Sequence, residues 1–289
     1  MLSSLLTIEI PLGPTIFEVA GLEITWHGLF TALGVVAGVM VAAFFARRAG
    51  YPQEVIYNVS LALVIGGIIG ARGLFVIENW DRFQDDFSDV FAVNTGGISL
   101  FGALIGGLIG AVAYSFWAKV PNKWRGADLA VLGAIIGMAV GRIGDIINGE
   151  HFARATDWAI GVRYTDADSP SFDREPQHLA VGYELVGDLL IFLVLLLVYR
   201  RSGRDGLTLL AWAFLYSAMR LGLSFLREDD IVWAGLRTAQ IIAIVVMILS
   251  VLAFVYLVVI PPPAGPTRAE RRRTIRAERR RATRGGAST

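Results

Sequence analysis

The chain has 289 residues, 55% of them hydrophobic and 18% charged, with a mean hydropathy of +0.58 and a formal net charge of +1. A soluble domain of this length is rarely so apolar, and several apolar runs are long enough to cross a bilayer, so the composition describes a polytopic helical membrane protein. The absence of cysteine excludes a disulfide framework and any Cys-ligated metal site.

Residues 1–26 contain no Lys or Arg, and Pro11 and Pro14 break any long helix there. The stretch Phe17–Trp26 reads as a short extended or interfacial segment. The N-terminus has neither the basic region nor the small-residue cleavage site of a signal peptide, so the first span is expected to act as its own insertion signal. Seven apolar spans follow, at about 27–46, 55–77, 96–118, 127–147, 182–199, 206–226 and 233–260. Alternate loops carry Arg47 and Arg48, then Lys119, Lys123 and Arg125, then Arg200, Arg201 and Arg204. The intervening short loops are mainly acidic, with Glu78, Asp81, Asp85, Asp86 and Asp89 around Arg82, and Glu228, Asp229 and Asp230 after Arg227. Short basic loops mark the cytoplasm, so the N-terminus is predicted outside and the C-terminus inside.

The fold expected is therefore all-α, with seven transmembrane helices over residues 1–260. A small external cap over about 148–181, with strand character near Trp158–Tyr164, lies between spans four and five. Residues 261–289 form a Pro/Arg-rich cytoplasmic tail with nine arginines and two glutamates, so the tail holds +7 and the rest of the chain −6. Such a tail reads as a solvated anchor near anionic lipid headgroups, with nucleic-acid binding as the alternative. No internal repeat is visible, which weighs against the inverted-repeat transporter folds.

With this topology, Arg72, Arg142 and Arg220 fall at one depth, roughly 8–10 Å below the outer surface at ~1.5 Å rise per residue. His27, Phe101, Glu184, Asp188, Arg237 and Gln240 begin the returning spans and share that depth. The inner half is nearly bare, with Asp128 close to its edge. A single arginine near a helix end can snorkel to the headgroups, and His27 beside Trp26 can be an interfacial aromatic. Gly66, Gly67, Gly70, Gly102, Gly106, Gly107 and Gly110 read most simply as close helix packing. Three arginines at one depth on alternate spans are not easily explained by independent snorkelling. Guanidinium forks suit phosphate, so the layer reads as a lipid-phosphate cavity. Its centre is Gly141–Glu150, where Arg142 and Asp145 sit in an apolar span; ionisable residues there are costly and usually functional.

The segment Gly141-Arg142-Ile143-Gly144-Asp145-Ile146-Ile147-Asn148-Gly149-Glu150 resembles the signature of the prolipoprotein diacylglyceryl transferase family, G-R-x-G-N-x-x-N-G-E with apolar residues at x. Nine of the ten positions fit. His151-Phe152-Ala153-Arg154-Ala155-Thr156 is similar to its continuation, H-F-G-R-x-T. Trp26-His27-Gly28-Leu29 is similar to W-Y-G-L, Gly70-Ala71-Arg72 to the span-two motif, and Gly96–Gly106 to the glycine-rich opening of span three. His178, Tyr183 and Glu184 resemble H-P-x-Q-L-Y-E. Arg220 and Arg227 resemble R-x-x-x-E-x-x-R, and Gln240 the glutamine that opens the last span.

The resemblance implies transfer of a diacylglyceryl group from phosphatidylglycerol to the lipobox cysteine of a prolipoprotein, in the bacterial cytoplasmic membrane. It implies that Arg142 and Arg220 hold the headgroup phosphate, that Arg72 and Arg154 support them, and that Asn148, Gly149 and Glu150 shape the mouth. The partners expected are phosphatidylglycerol, the prolipoprotein signal peptide and membrane lipids, with no nucleic acid; no cofactor and no metal are implied. The sequence departs from the family at His27 (Tyr), Phe101 (His or Tyr), Asp145 (Asn), Ala153 (Gly) and Ser224 (Glu). One reading makes His27 the base in place of the residue at Phe101, with Asp145 pairing Arg142 or orienting His27. The catalytic set is then His27, Asp145, Arg142 and Arg220. The other reading is a divergent paralogue that binds phospholipid without this transfer or with another acceptor.

Overall fold

The computed structural model describes residues 7–19, 22–84, 90, 97–158 and 160–259. Asp85, Asp86, Asp89, Gly96 and the arginine-rich tail lie outside these residues. Helices α1 (Trp26–Ala49), α2 (Gln53–Glu78) and the short α3 (Trp80–Phe83) are followed by α4 (Leu100–Trp117), α5 (Lys123–Asn148), α6 (Ala180–Arg201), α7 (Leu207–Leu223) and α8 (Thr238–Val259). All but α3 are long and apolar enough to cross a membrane, which gives the seven spans expected. The fold is mostly helical rather than all-α. Strands β1 (Ile8–Ile10), β2 (Thr15–Val19), β3 (Leu22–Thr25), β4 (Val162–Tyr164), β5 (Ile231–Trp233) and β6 (Leu236–Arg237) form three two-stranded sheets.

All six strands lie at one end of the bundle, where α1, α4, α6 and α8 begin and α2, α5 and α7 end. The extended segment expected at Phe17–Trp26 is the antiparallel β2–β3 hairpin. The strand expected near Trp158–Tyr164 is shorter, Val162–Tyr164, and pairs in parallel with β1. Residues 233–237, expected to open the last span, instead form the β5–β6 hairpin, so α8 begins at Thr238.

Helix ends are capped locally. Thr25 accepts from the Gly28 N–H and starts α1, and Gly50, at φ 64°, ends it. Asp128, the polar residue expected near the bare half, is a structural cap: its carboxylate accepts the N–H groups of Gly206 at 2.7 Å and Leu209 at 2.9 Å, at the start of α7. Arg125 donates to Ala49 O at 2.5 Å, and Arg204 to the carbonyls of Leu257 and Val258, so these cations sit on the C-termini of α1 and α8.

Lipid offers no hydrophobic drive between helices, so close backbone approach carries the packing. α2 lies on α4 through Gly66, Gly70, Gly102, Gly106 and Gly110, as the sequence predicts; a Cβ on Gly106 would sit 2.7 Å from Gly70 Cα. A second glycine seam joins α1 to α5: a Cβ on Gly38 would lie 3.1 Å from Gly133 O, and one on Gly137 2.6 Å from Gly34 O. The buried apolar clusters, Ala42, Ala43, Ala46, Ile56 and Leu129, and Leu132, Ile135, Ile191 and Leu195, fill the half of the bundle away from the strands. Beneath the strands the buried interior also holds polar and charged side chains, Arg72, Asp145, Asn148, Glu184 and Asp188 among them.

Candidate functional site

The polar half is assembled from four elements. Arg142 and Asp145 are one turn apart on α5 and pair at 2.9 Å (Nη1 to Oδ2). His27, in the first turn of α1, places Nδ1 2.6 Å from Asp145 Oδ1. That approach depends on Gly144, because a Cβ there would lie 2.7 Å from Trp26 O and 3.0 Å from His27 Cα. Glu184 on α6 is fully buried and takes Arg142 Nη2 at 2.8 Å, Arg220 Nη1 from α7, and Arg227 Nη1 at 3.7 Å. Arg142 also meets the hydroxyl of Tyr216, one turn before Arg220, at 3.3 Å.

The short turn Ser224–Leu226 redirects the chain after α7 and brings Arg227 back over the cluster. Arg227 Nη2 lies 3.2 Å from His151 Nδ1, and His151 Nε2 lies 3.7 Å from Asp145 Oδ2. Asp145, Arg142, Glu184, Arg227 and His151 therefore close a ring in which acidic and basic groups alternate except where Arg227 meets His151. Three guanidiniums converge on the fully buried carboxylate of Glu184. Buried charges must be paired to be tolerated, and these are.

The 149–179 segment closes over this ring. Gly149 ends α5 at φ 70°, where a Cβ would meet Ser169 Oγ at 2.6 Å and Tyr164 Cε1 at 2.9 Å, so this signature glycine is required by both conformation and space. Tyr164 donates to Ile146 O at 2.7 Å, and burial pushes its phenol up to about 12. Ser171 Oγ reaches Gly149 O at 2.5 Å, and buried Gln177 ties Ala153 N to Ser171. Backbone bonds from Arg154 N to Leu226 O and from Glu228 N to Phe152 O attach the segment to the end of α7.

The residues singled out in the sequence divide into two groups. His27, Asp145, Arg142 and Arg220 come together. Glu150 borders them: its carboxylate, Asp145 and His27 offer atoms within 4.8 Å of one another. A cation there would compete with His27 and Arg142 for Asp145. Asn148 and Gly149 are buried at the end of α5, beside the group. Arg72 is directed elsewhere, donating to Val90 O at 2.7 Å and Gly97 O at 2.9 Å and lying over the rings of Phe75 and Phe83. Arg154 is exposed and Phe101 faces outward at 42% exposure. Arg237 and Gln240, expected in the layer, brace the β5–β6 hairpin: Arg237 donates to Ser224 O and Asp229 O, and Gln240 accepts the Arg237 N–H. Glu184, Arg227, His151 and Tyr216 were not assigned to the site from sequence. Glu184 had a signal in its depth, Tyr216 in its four-residue spacing from Arg220, and Arg227 and His151 in the family motifs they match, though loop geometry is what brings these two in. A separate cavity of about 330 Å³, lined by Glu9, Thr156, Trp158, Arg163 and Glu175 among others, lies among the strands and involves none of the ring.

Seven membrane-length helices around a buried cluster of arginines and carboxylates are the architecture of a polytopic membrane protein. The profile of the prolipoprotein diacylglyceryl transferase family matches residues 14–256, and the chain belongs to that family. Similar proteins include phosphatidylglycerol–prolipoprotein diacylglyceryl transferases of Clostridioides difficile (31% identical, covering 83% of this chain and 94% of that one), Trichormus variabilis (32%, 84% and 90%) and Synechococcus elongatus (30%, 89% and 95%).

Proposed function

We propose that the protein transfers the diacylglyceryl group of phosphatidylglycerol to the lipobox cysteine thiol of prolipoproteins, the first lipid modification in lipoprotein maturation. The observation that carries this reading is that Arg142 joins two functions: one nitrogen meets Asp145, which holds His27, and another meets Glu184, where Arg220 also converges. A base and a phosphate site are thereby neighbours.

With Nδ1 donating to Asp145, His27 presents the lone pair of Nε2, and its side chain is 45% exposed, within reach of an incoming thiol. His27 takes the thiol proton, and the thiolate attacks the glyceryl carbon that bears the phosphate oxygen. The C–O bond breaks, the C–S bond forms, and the electron pair leaves on glycerol 1-phosphate. Arg142 and Arg220 exchange Glu184 for the lipid phosphate and stabilise its growing charge. Asn148, Gly149 and Glu150 shape the mouth, while Arg72 and Arg154 act at its margins. Neither a metal nor a cofactor enters this scheme.

The strand-bearing end faces out of the bacterial cytoplasmic membrane, with residues 149–179 as an external cap, the N-terminus outside and the 261–289 tail inside. The support is the segregation of loop charge. Residues 1–260 form the transferase domain. The test is purified protein, phosphatidylglycerol and a lipobox peptide, with glycerol phosphate release as the readout, together with complementation of a strain depleted of its own transferase. Release and complementation are expected. Their failure at good expression leaves the divergent-paralogue reading, a phospholipid binder without this transfer. His27→Phe is expected to lower turnover roughly 10²–10⁴-fold with expression intact; unchanged turnover removes His27 from the mechanism.

A further inference from the structure

One buried acid plays no part in the scheme above. Asp188 lies on α6, one turn beyond Glu184 on the same face, and is fully buried. Both of its carboxyl oxygens are enclosed without a hydrogen-bond partner among the described residues. The neighbouring Gly187 packs directly on Met219, the residue before Arg220, which fixes this turn of α6 against the phosphate-binding end of α7. A polar group enclosed in the bundle without a partner carries a large desolvation cost, and such groups mark sites where something else completes the hydrogen bonding.

Depth identifies what that is. Asp188 lies about 6 Å further from the strand-bearing end than Glu184, at a rise of ~1.5 Å per residue. A glycerophospholipid whose phosphate sits on Arg142 and Arg220 extends its glycerol backbone in the same direction, towards the hydrocarbon. The polar atoms it carries at that level are ester carbonyls, which only accept hydrogen bonds. Arg142, Glu184 and Arg220 are the charged groups that face Asp188, none of them bonded to it, and in its neutral form the carboxyl has an O–H to donate. We propose that Asp188 is the donor that seats an ester carbonyl of the lipid's glycerol backbone beneath the phosphate site. It is a positioning residue that distinguishes diacyl from dialkyl lipid and aligns the glyceryl carbon for attack. The inference rests on the transferase reading for its substrate, and its test keeps the two apart.

The experiment compares phosphatidylglycerol with its dialkyl-ether analogue, which has the same headgroup but no ester carbonyl. Both lipids are measured with the purified full-length protein, by the rise in unfolding temperature on lipid addition and by KM and kcat for transfer to a lipobox peptide. The wild-type protein is expected to favour the diester about tenfold, the scale of leaving a buried donor unmatched. Asp188→Leu is expected to erase that preference by weakening the diester to the level of the ether. Asp188→Asn, which keeps an N–H donor, is expected to retain most of it. Equal handling of the two lipids by the wild type overturns the proposal, as does a preference that survives in Asp188→Leu or vanishes equally in Asp188→Asn. Absence of transfer with either lipid removes the transferase reading, and the binding preference still decides the role of Asp188.

Discussion

Asp145 occupies a position where the family signature has asparagine, and its surroundings give the carboxylate a reason to be there. It touches His27, Arg142 and His151, three groups that are or can become cationic. Asparagine could hydrogen-bond to His27, but it could not balance Arg142 or hold the imidazolium that forms when His27 takes a proton. Asp145→Asn is therefore expected to lower kcat by one to two orders of magnitude, about as much as other losses in positioning a general base, with little change in KM for lipid. A larger change in KM than in kcat would place Asp145 in lipid binding instead. Glu184 is more exposed to loss because three arginines share it: Glu184→Leu strands buried guanidiniums and is expected to cost roughly 3–5 kcal/mol in denaturation of the micelle-solubilised protein. Tyr164 gives a pH signature. Its phenol is raised to about 12 in the folded protein against an ordinary value near 10, so the folded state holds this proton more tightly than the unfolded state. Its contribution is complete below about pH 10 and is lost as pH rises towards 12. Thermal unfolding from pH 9 to 12 is expected to show this decline, and Tyr164→Phe to remove this component of it.

At the scale of elements, the two glycine seams serve different ends. The α2–α4 seam holds a pair of helices together, whereas the α1–α5 seam also sets the position of the proposed base, because Gly144 lies at its end against Trp26 and His27. Gly144→Ala is expected to cost about 1–3 kcal/mol through overpacking and to depress turnover further by displacing His27 from Asp145. Gly106→Val is expected to separate α2 from α4 and reduce the folded yield, while Gly73→Val, where a Cβ meets nothing within 4 Å, serves as the control and is expected to be tolerated. Span number and most span boundaries were readable because hydrocarbon demands long apolar helices. The small-residue spacing of α2 and α4 was readable for the same reason. The β1–β4 pairing was not, since three residues near the N-terminus and three in the 149–179 segment carry no local mark of one another. The polar cluster was half legible: depth placed Arg142, Arg220, His27 and Glu184 in one layer, but depth alone also admitted Arg72, Arg237 and Gln240, whose helix faces and loop neighbours direct them to backbone carbonyls and to the β5–β6 hairpin.

For the whole molecule, the bundle is polarised in charge as well as in packing. Arg47, Arg48, Lys119, Lys123, Arg125, Arg200, Arg201 and Arg204 all lie at the end remote from the strands, where apolar clusters fill the interior. Two of them, Arg125 and Arg204, are also bonded to helix C-terminal carbonyls, so residues proposed to set orientation also finish helices. The reaction needs the opposite end to face the secreted prolipoprotein, and the two demands agree only if the basic end is cytoplasmic. The chain contains no cysteine, so single-cysteine variants report on one site each. Asp157 and Arg201 are both exposed and lie at opposite ends of the bundle. In intact cells with permeabilised outer layers, a membrane-impermeant maleimide is expected to label Asp157→Cys directly and Arg201→Cys only after the cytoplasmic membrane is broken. The reverse pattern would invert the topology and put the His27–Asp145 pair on the side where no prolipoprotein thiol is presented. Equal labelling of both before lysis would mean that the orientation is mixed, and that the loop charges are too weak a signal in this chain to fix it.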